Sequence, residues 1–369
     1  MLLKSNLRLL YAQLERLAET PYFSPGLDNY IVELKRVTSE LLLRLSAPSP
    51  SINIELARFL AEEIWRLTQF LTGSTTKQIP YEVVYAIERA AAAWTGSKLL
   101  VTTAIVQESN FYFHGSDEDF FRVVDKELGI TLVSRPVQIA LPYIYRHKPL
   151  FCVPLFHELG HFVDTFNEVV STSLLISPET SGPDLPGLPT SAQLALLPPA
   201  DLVFMRRVVK AHRHEYFADL FSAAHVGGAA RGFLQEFCPA NAMSPTHPSS
   251  AARFSLMADF MGGVSNPVVD LFQGALKARG LPPLVPRFTP VSLADSFGNV
   301  RPFTPNSDEE VFGLFEAGWS FLMAQWSSAT GAWSHLAEDD RVRVANDLAE
   351  KSIRNRMLVE GWHASTHTV

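Results

Sequence analysis

A chain of 369 residues and 41.0 kDa has room for one large domain or for two to three smaller ones. Its 47% hydrophobic and 19% charged residues exclude a disordered protein, and a net charge of −7 argues against nucleic acid as the main partner. The two cysteines, Cys152 and Cys238, cannot staple a fold of this size and lack finger spacing; a cytoplasmic location is expected and a cysteine-type structural zinc is excluded.

The chain opens on MLLKSNLRLLYAQLERL, where Lys4, Arg8, Glu15 and Arg16 interrupt the apolar residues as in an amphipathic helix, not a signal peptide. Leucines at helical spacing predict helices over Leu2 to Ala18 and Asp28 to Leu45. After APSPS, Ser51 is the expected N-cap of a third helix running to about Leu71. GSTTKQIP (Gly73 to Pro80) reads as a linker, and an alanine-rich helix follows from Tyr81 to Trp94.

Strand-type runs come next: Lys98 to Ile105, Asn110 to Gly115, Ile130 to Val133 and Val137 to Pro142, with a helical stretch between them at Asp117 to Leu128. A helix is expected from about Leu150 to Val170. Ser177 to Gln193, rich in Pro, Gly and Ser, reads as an irregular, lid-like loop. A long helix covers Ala200 to Val226, a Pro-dense tract Gly280 to Pro305, and two helices close the chain at Asp308 to Trp326 and Leu336 to Glu360. No apolar run approaches the ~18 residues that span a bilayer. The class is α+β and helix-dominated.

The chemistry gathers in LFHELGHF (Leu155 to Phe162), which contains H-E-x-x-H. Four residues apart on a helix, His157 and His161 share a face and can bind one ion. Glu158 stands one residue round, placed to deprotonate a zinc-activated water. Burying these polar groups on a helix otherwise lined by Phe156, Leu159, Phe162 and Val163 would be costly without such a role.

The extended motif with a third histidine fails, since Asp164 and Asn167 occupy its last two positions. HRHEYFADLF (His212 to Phe221) offers an alternative: Glu215 as third ligand, with Asp219 hydrogen-bonded to a ligand histidine. His212 and His214 compete with Glu215 for that place.

H-E-x-x-H followed on a later helix by E-x-x-x-D resembles the gluzincin zinc metallopeptidases. The narrower pattern of Glu215, Ala218 and Asp219, followed by His247-Pro248 and Arg253, is similar to the CAAX prenyl endopeptidase and HtpX-type peptidases. The likeness spans about residues 150–255. It implies one catalytic Zn2+ held by His157, His161 and Glu215, with Glu158 as base. It also implies that His247 and Arg253 stabilise the oxyanion and organise the site; Tyr143, Tyr145 and Tyr216 are rival oxyanion donors.

The same resemblance implies a zincin-like catalytic core over 76–270, made of a small, mostly antiparallel sheet and an active-site helix. Helical regions 1–75 and 271–369 flank it. Val137 to Pro142 or Asn110 to Gly115 would be the edge strand that pairs with an extended substrate. Members of that family are usually membrane-embedded, and this chain has no spanning helix, so a prenylated substrate is not implied. A zinc endopeptidase acting on a protein or peptide is expected, with room for a regulatory protein partner. A scaffold with a structural or vestigial zinc site, and a zinc hydrolase of non-peptide amides, are the alternatives.

Overall fold

The computed structural model describes residues 2–366 apart from 21, 23–24, 48–50, 75–79, 96–98, 108–109, 239 and 327–332, and side chains except those of 25 and 362–366. Helices dominate, and one small sheet accompanies them, as the α+β class requires. None of the described helices is long and apolar enough to cross a membrane. The chain divides into two compact units, Met1–Val84 with Gly96–Arg146, and Tyr85–Thr95 with His147–Val369. The sheet falls in the same unit as the N-terminal helices. The expected linker residues 48–50 and 75–79 lie outside the described residues.

In the first unit, α1 (Leu2–Ala18), α2 (Pro25–Ser46) and α3 (Ile54–Gly73) follow their leucine periodicity. Leu7, Leu14, Leu34, Leu41, Ile64 and Leu67 are fully buried in one shared core. Asn53, and not Ser51, caps α3, its side chain accepting from the Glu55 amide at 2.7 Å. The next helix, α4 (Tyr81–Thr95), begins in this unit and continues into the second.

The sheet comprises β1 (Leu99–Val106), β2 (Tyr112–Gly115) and β3 (Arg135–Pro142), in the order β1-β3-β2. Its longer pairing, β1 with β3, is parallel over eight residues, and only β2 with β3 is antiparallel. The expected mostly antiparallel sheet is thus corrected to a mixed one. Continuous apolar runs such as LLV and IAL suit strands buried on both faces, which is where parallel pairing occurs.

Val137 to Pro142 lies in the central strand with neighbours on both sides, so it offers no edge to a substrate; β2 does lie at an edge. Ile130 to Val133 forms no strand. Ile130 and Leu132 plug into the helical core while Val133 faces solvent, an alternation that mimics strand periodicity without a pairing partner. The helical stretch before it consists of α5 (Glu118–Val123) and one π-turn (Val124–Leu128), whose last carbonyls accept from Arg44.

The second unit is built from the later part of α4 and all remaining helices. They are α6 (Pro154–Asn167), α7 (Val169–Ile176), α8 (Ser191–Leu194), α9 (Pro199–Val226) and α10 (Gly228–Phe237). After them come α11 (Ser250–Met261), α12 (Pro267–Ala278), α13 (Ala294–Gly298), α14 (Asp308–Trp326) and α15 (Glu338–Thr366). The single helix expected from Leu150 to Val170 is divided at Glu168, which adopts a left-handed conformation with φ 54. The Asp164 carboxylate satisfies the freed Val170 amide at 2.7 Å, so the break leaves α7 capped. Gly227, with φ 56 and ψ −139, supplies the turn from α9 into α10 that a side chain would strain.

Ser177 to Gln193 is not a loose lid. Fully buried Arg213 donates to Ser173 Oγ at 3.1 Å and to Ser177 O at 2.9 Å, Arg206 pairs with Glu179, and Leu185 and Leu194 are buried. Arg213 precedes Glu215 by two residues, ~200° round the helix, so the segment braces the face of α9 turned away from Glu215.

A second buried arginine organises the C-terminal pair of helices. Arg341 donates to the carbonyls of Gln325 (2.7 Å), Trp326, Ser334 and Leu336, so it neutralises the open carbonyl end of α14. Arg341→Met keeps the bulk and removes the donors. It is expected to lower unfolding stability by about 2–4 kcal/mol in chemical denaturation. An unchanged midpoint would show these carbonyls to be satisfied otherwise.

Candidate metal centre

Two helices build the site, and their sequences explain why they can approach. A Cβ placed on Gly160 of α6 would stand 2.7 Å from Ala218 Cα and 3.1 Å from Phe221 Cβ of α9. The smallest residue on one helix thus meets one of the next smallest on the other, and the backbones pack at close range. On either side of this crossing stand His157 and His161 on α6, and Glu215 and Asp219 on α9, each pair four residues apart on its helix. Pro154 in the first turn and the Leu150 amide, held by Asn346 Oδ1 of α15 at 3.0 Å, fix where α6 begins.

Ligand atoms of His157, His161 and Glu215 lie within 4.8 Å of one another and form a group that could hold a metal ion. The two Nε2 atoms are 3.0 Å apart, and Glu215 faces them with Oε2 at 3.5 Å from His157 and Oε1 at 3.4 Å from His161. The donor set fits a single divalent cation, since two imidazole nitrogens and a carboxylate are a common set for zinc. His157 also passes the tautomer test: its Nδ1 lies 3.0 Å from Asp219 Oδ1, which leaves the Nε2 lone pair for an ion.

Behind the ligands, Arg253 of α11 grips Asp219 with two hydrogen bonds, Nε to Oδ2 at 2.7 Å and Nη2 to Oδ1 at 2.6 Å. Its Nη2 is also 3.7 Å from Glu215 Oε2. Ser249 caps the first turn of α11 and so places this guanidinium. Burial opposes ionisation of Asp219, but the charge of Arg253 overrides it and holds the carboxyl below its usual range.

Burial likewise works against a proton on His157. Hydrogen bonds to Asp219 and Glu215 prevail and raise its pKa to about 10. Glu215 is held well below the ordinary carboxylate range, because bonds to the two histidines outweigh its burial. A cation can take the place of the proton between His157 and Glu215.

Glu158 is not among the ligands. Burial pushes its pKa up, against the opposing charges of His157 and His161. His247 lies at the open side, 57% exposed, with Nε2 3.5 Å from Glu215 Oε1, and it falls outside the group of ligand atoms. All seven residues expected at the site, His157, Glu158, His161, Glu215, Asp219, His247 and Arg253, therefore gather in one unit.

The competitors separate from them. His212 gives its Nε2 to Ser244 O at 2.8 Å, and His214 pairs through Nδ1 with Asp164, so neither is placed as the third ligand. The Tyr216 hydroxyl is buried without a hydrogen-bond partner, shut off from anything bound at the surface. Gly160 and Ala218 set how closely the helices approach, and Gly160 is a position that motif reading passes over as a mere spacer. The signal for them is their smallness at the centre of each motif.

Compared with protein-family models, with curated proteins and with solved structures, the chain matches none. Asp219→Asn keeps the shape of the residue but removes the charge behind His157. It is expected to weaken metal binding by about 10–100-fold, measured by competition with a chromogenic chelator. Unaltered affinity would strip Asp219 of this role.

Proposed function

We propose that this chain is a zinc-dependent endopeptidase of gluzincin type, similar in its site to the CAAX prenyl endopeptidase and HtpX-type peptidases. The observation that carries the reading is the convergence of His157, His161 and Glu215, with Glu158 beside them as a half-buried carboxylate outside the ligand group. A structural metal site has no use for a base at that position. When bound, zinc supplies Lewis acidity and lowers the pKa of a coordinated water toward neutrality.

Glu158 takes the proton of the attacking water and delivers it to the leaving amine. Its burial raises its pKa, which makes the carboxylate a stronger base and then an acid that can return the proton. Asp219 keeps the proton of His157 on Nδ1, and Arg253 holds Asp219 in place. His247, exposed beside Glu215, is the group available to meet negative charge on the scissile carbonyl oxygen. Cys152 and Cys238, neither of them in a disulfide, suit a reducing, cytoplasmic setting.

The test is a search for new protein N-termini in a cell lysate treated with zinc-loaded wild type or with Glu158→Gln. New termini that appear only with wild type support an endopeptidase. Their absence in both would overturn the reading and leave hydrolysis of non-peptide amides or a non-catalytic metal site.

A further inference from the structure

Of the histidines in the second unit, His212 is the one whose position the metal centre and the core leave unexplained. It is fully buried on α9, three residues before the ligand Glu215 and so on the same face of the helix. Its Nε2–H donates to Ser244 O at 2.8 Å, while Nδ1 is buried with no partner. A buried imidazole with one orphan nitrogen is a costly way to fill space, and an apolar side chain would fill it better. What His212 supplies is one hydrogen bond to the loop that carries His247.

Ser244 is the hub of that loop. Its amide donates to His247 O at 2.9 Å, and its Oγ accepts from the His247 amide at 3.0 Å and lies 3.3 Å from the Thr246 amide. Thr246 Oγ1 in turn meets His247 Nδ1 at 2.9 Å, which leaves Nε2 turned toward Glu215 Oε1 at 3.5 Å. The base of the loop is closed separately, by the Ser250 amide on Asn241 O at 3.0 Å and Ser250 Oγ on Cys238 O at 2.6 Å. Among the described hydrogen bonds, the one from His212 ties the tip of the loop to α9.

We infer that His212 is a positioning residue: through Ser244 it sets the exposed imidazole of His247 in register with the metal ligand Glu215. One turn of α9 is the ruler, since the anchor and the ligand stand three residues apart on it. That His247 then acts on a substrate rests on the peptidase reading above; the anchoring itself does not.

The experiment compares wild type, His212→Ala, His212→Gln, His247→Ala and the double variant His212→Ala/His247→Ala, all zinc-loaded. Amide hydrogen exchange is read first. Exchange at Ser244 and His247 is expected to rise about tenfold in His212→Ala while the amides of α9 around Glu215 keep their protection. His212→Gln, which can donate to the same carbonyl, restores it. Unchanged exchange in His212→Ala overturns the inference, and so does loss of zinc or of cooperative unfolding in both His212 variants, which would make the residue part of the core.

Peptide hydrolysis is read second. His212→Ala is expected to lower kcat by about tenfold with KM and bound zinc unchanged, and to add nothing on a His247→Ala background. An undiminished effect in the double variant overturns the inference. If zinc-loaded wild type cleaves no peptide, the peptidase reading falls, and the exchange result still decides the anchoring.

Discussion

Replacing Glu158 by glutamine is expected to leave bound zinc at the wild-type level and to reduce peptide hydrolysis by about 10²–10⁴-fold. The two halves of this result have separate causes. Glu158 is not in the ligand group, so the amide takes nothing from the metal. Its carboxylate has the pKa raised by burial that a proton acceptor needs, and glutamine matches it in shape but accepts no proton. KM should change little, because proton transfer belongs to the transition state and not to binding. A Glu158→Gln protein that holds zinc and still cleaves at near wild-type rate would remove the base from the mechanism.

The second large effect is expected at Gly160, which touches no ligand. In Gly160→Ala the new methyl would stand 2.7 Å from Ala218 Cα and 3.2 Å from Ala218 O, and these are backbone atoms that cannot swing aside. α6 and α9 must separate. Overpacking of this kind costs about 1–3 kcal/mol, to be read from thermal or chemical unfolding of the metal-free protein. The separation also pulls the two histidines away from Glu215, and ligand sites tolerate only ~0.5 Å of such drift. Zinc affinity is therefore expected to fall by about tenfold or more in a chelator competition. Unchanged stability and affinity would mean that the helices slide past the methyl, and that the crossing does not set the ligand geometry.

The site was more legible in the sequence than the fold around it. A helix places residues four apart on one face whatever surrounds it, so His157 with His161 and Glu215 with Asp219 could be read as pairs before their partner helix was known. The contest between Glu215, His212 and His214 could not be settled that way. It turns on Ser244 and Asp164, remote in sequence, which draw off the two histidines. The role of Arg213 was hidden for the same reason: its acceptors on Ser173 and Ser177 turn a segment with the composition of a loose lid into a tied brace.

For the fold, long amphipathic helices such as Leu2–Ala18 were bounded correctly by their own periodicity. The strands fared differently. Alternating burial at Ile130 and Leu132 resembled a strand, and nothing local tells a parallel partner from an antiparallel one. α10, α11 and α12 were not anticipated; α11 spreads small and apolar residues around its whole circumference and so shows no helical stripe.

The most direct measurement is a crystal structure of the zinc-soaked protein with anomalous data collected at the zinc edge. One ion is expected, bound by His157 Nε2, His161 Nε2 and a Glu215 oxygen at ~2.0–2.2 Å, with a solvent molecule in the fourth position beside Glu158. His247, 3.5 Å from Glu215, should remain unligated. An ion bound elsewhere, or one closed off by His247 as a fourth protein ligand, would contradict an open catalytic site.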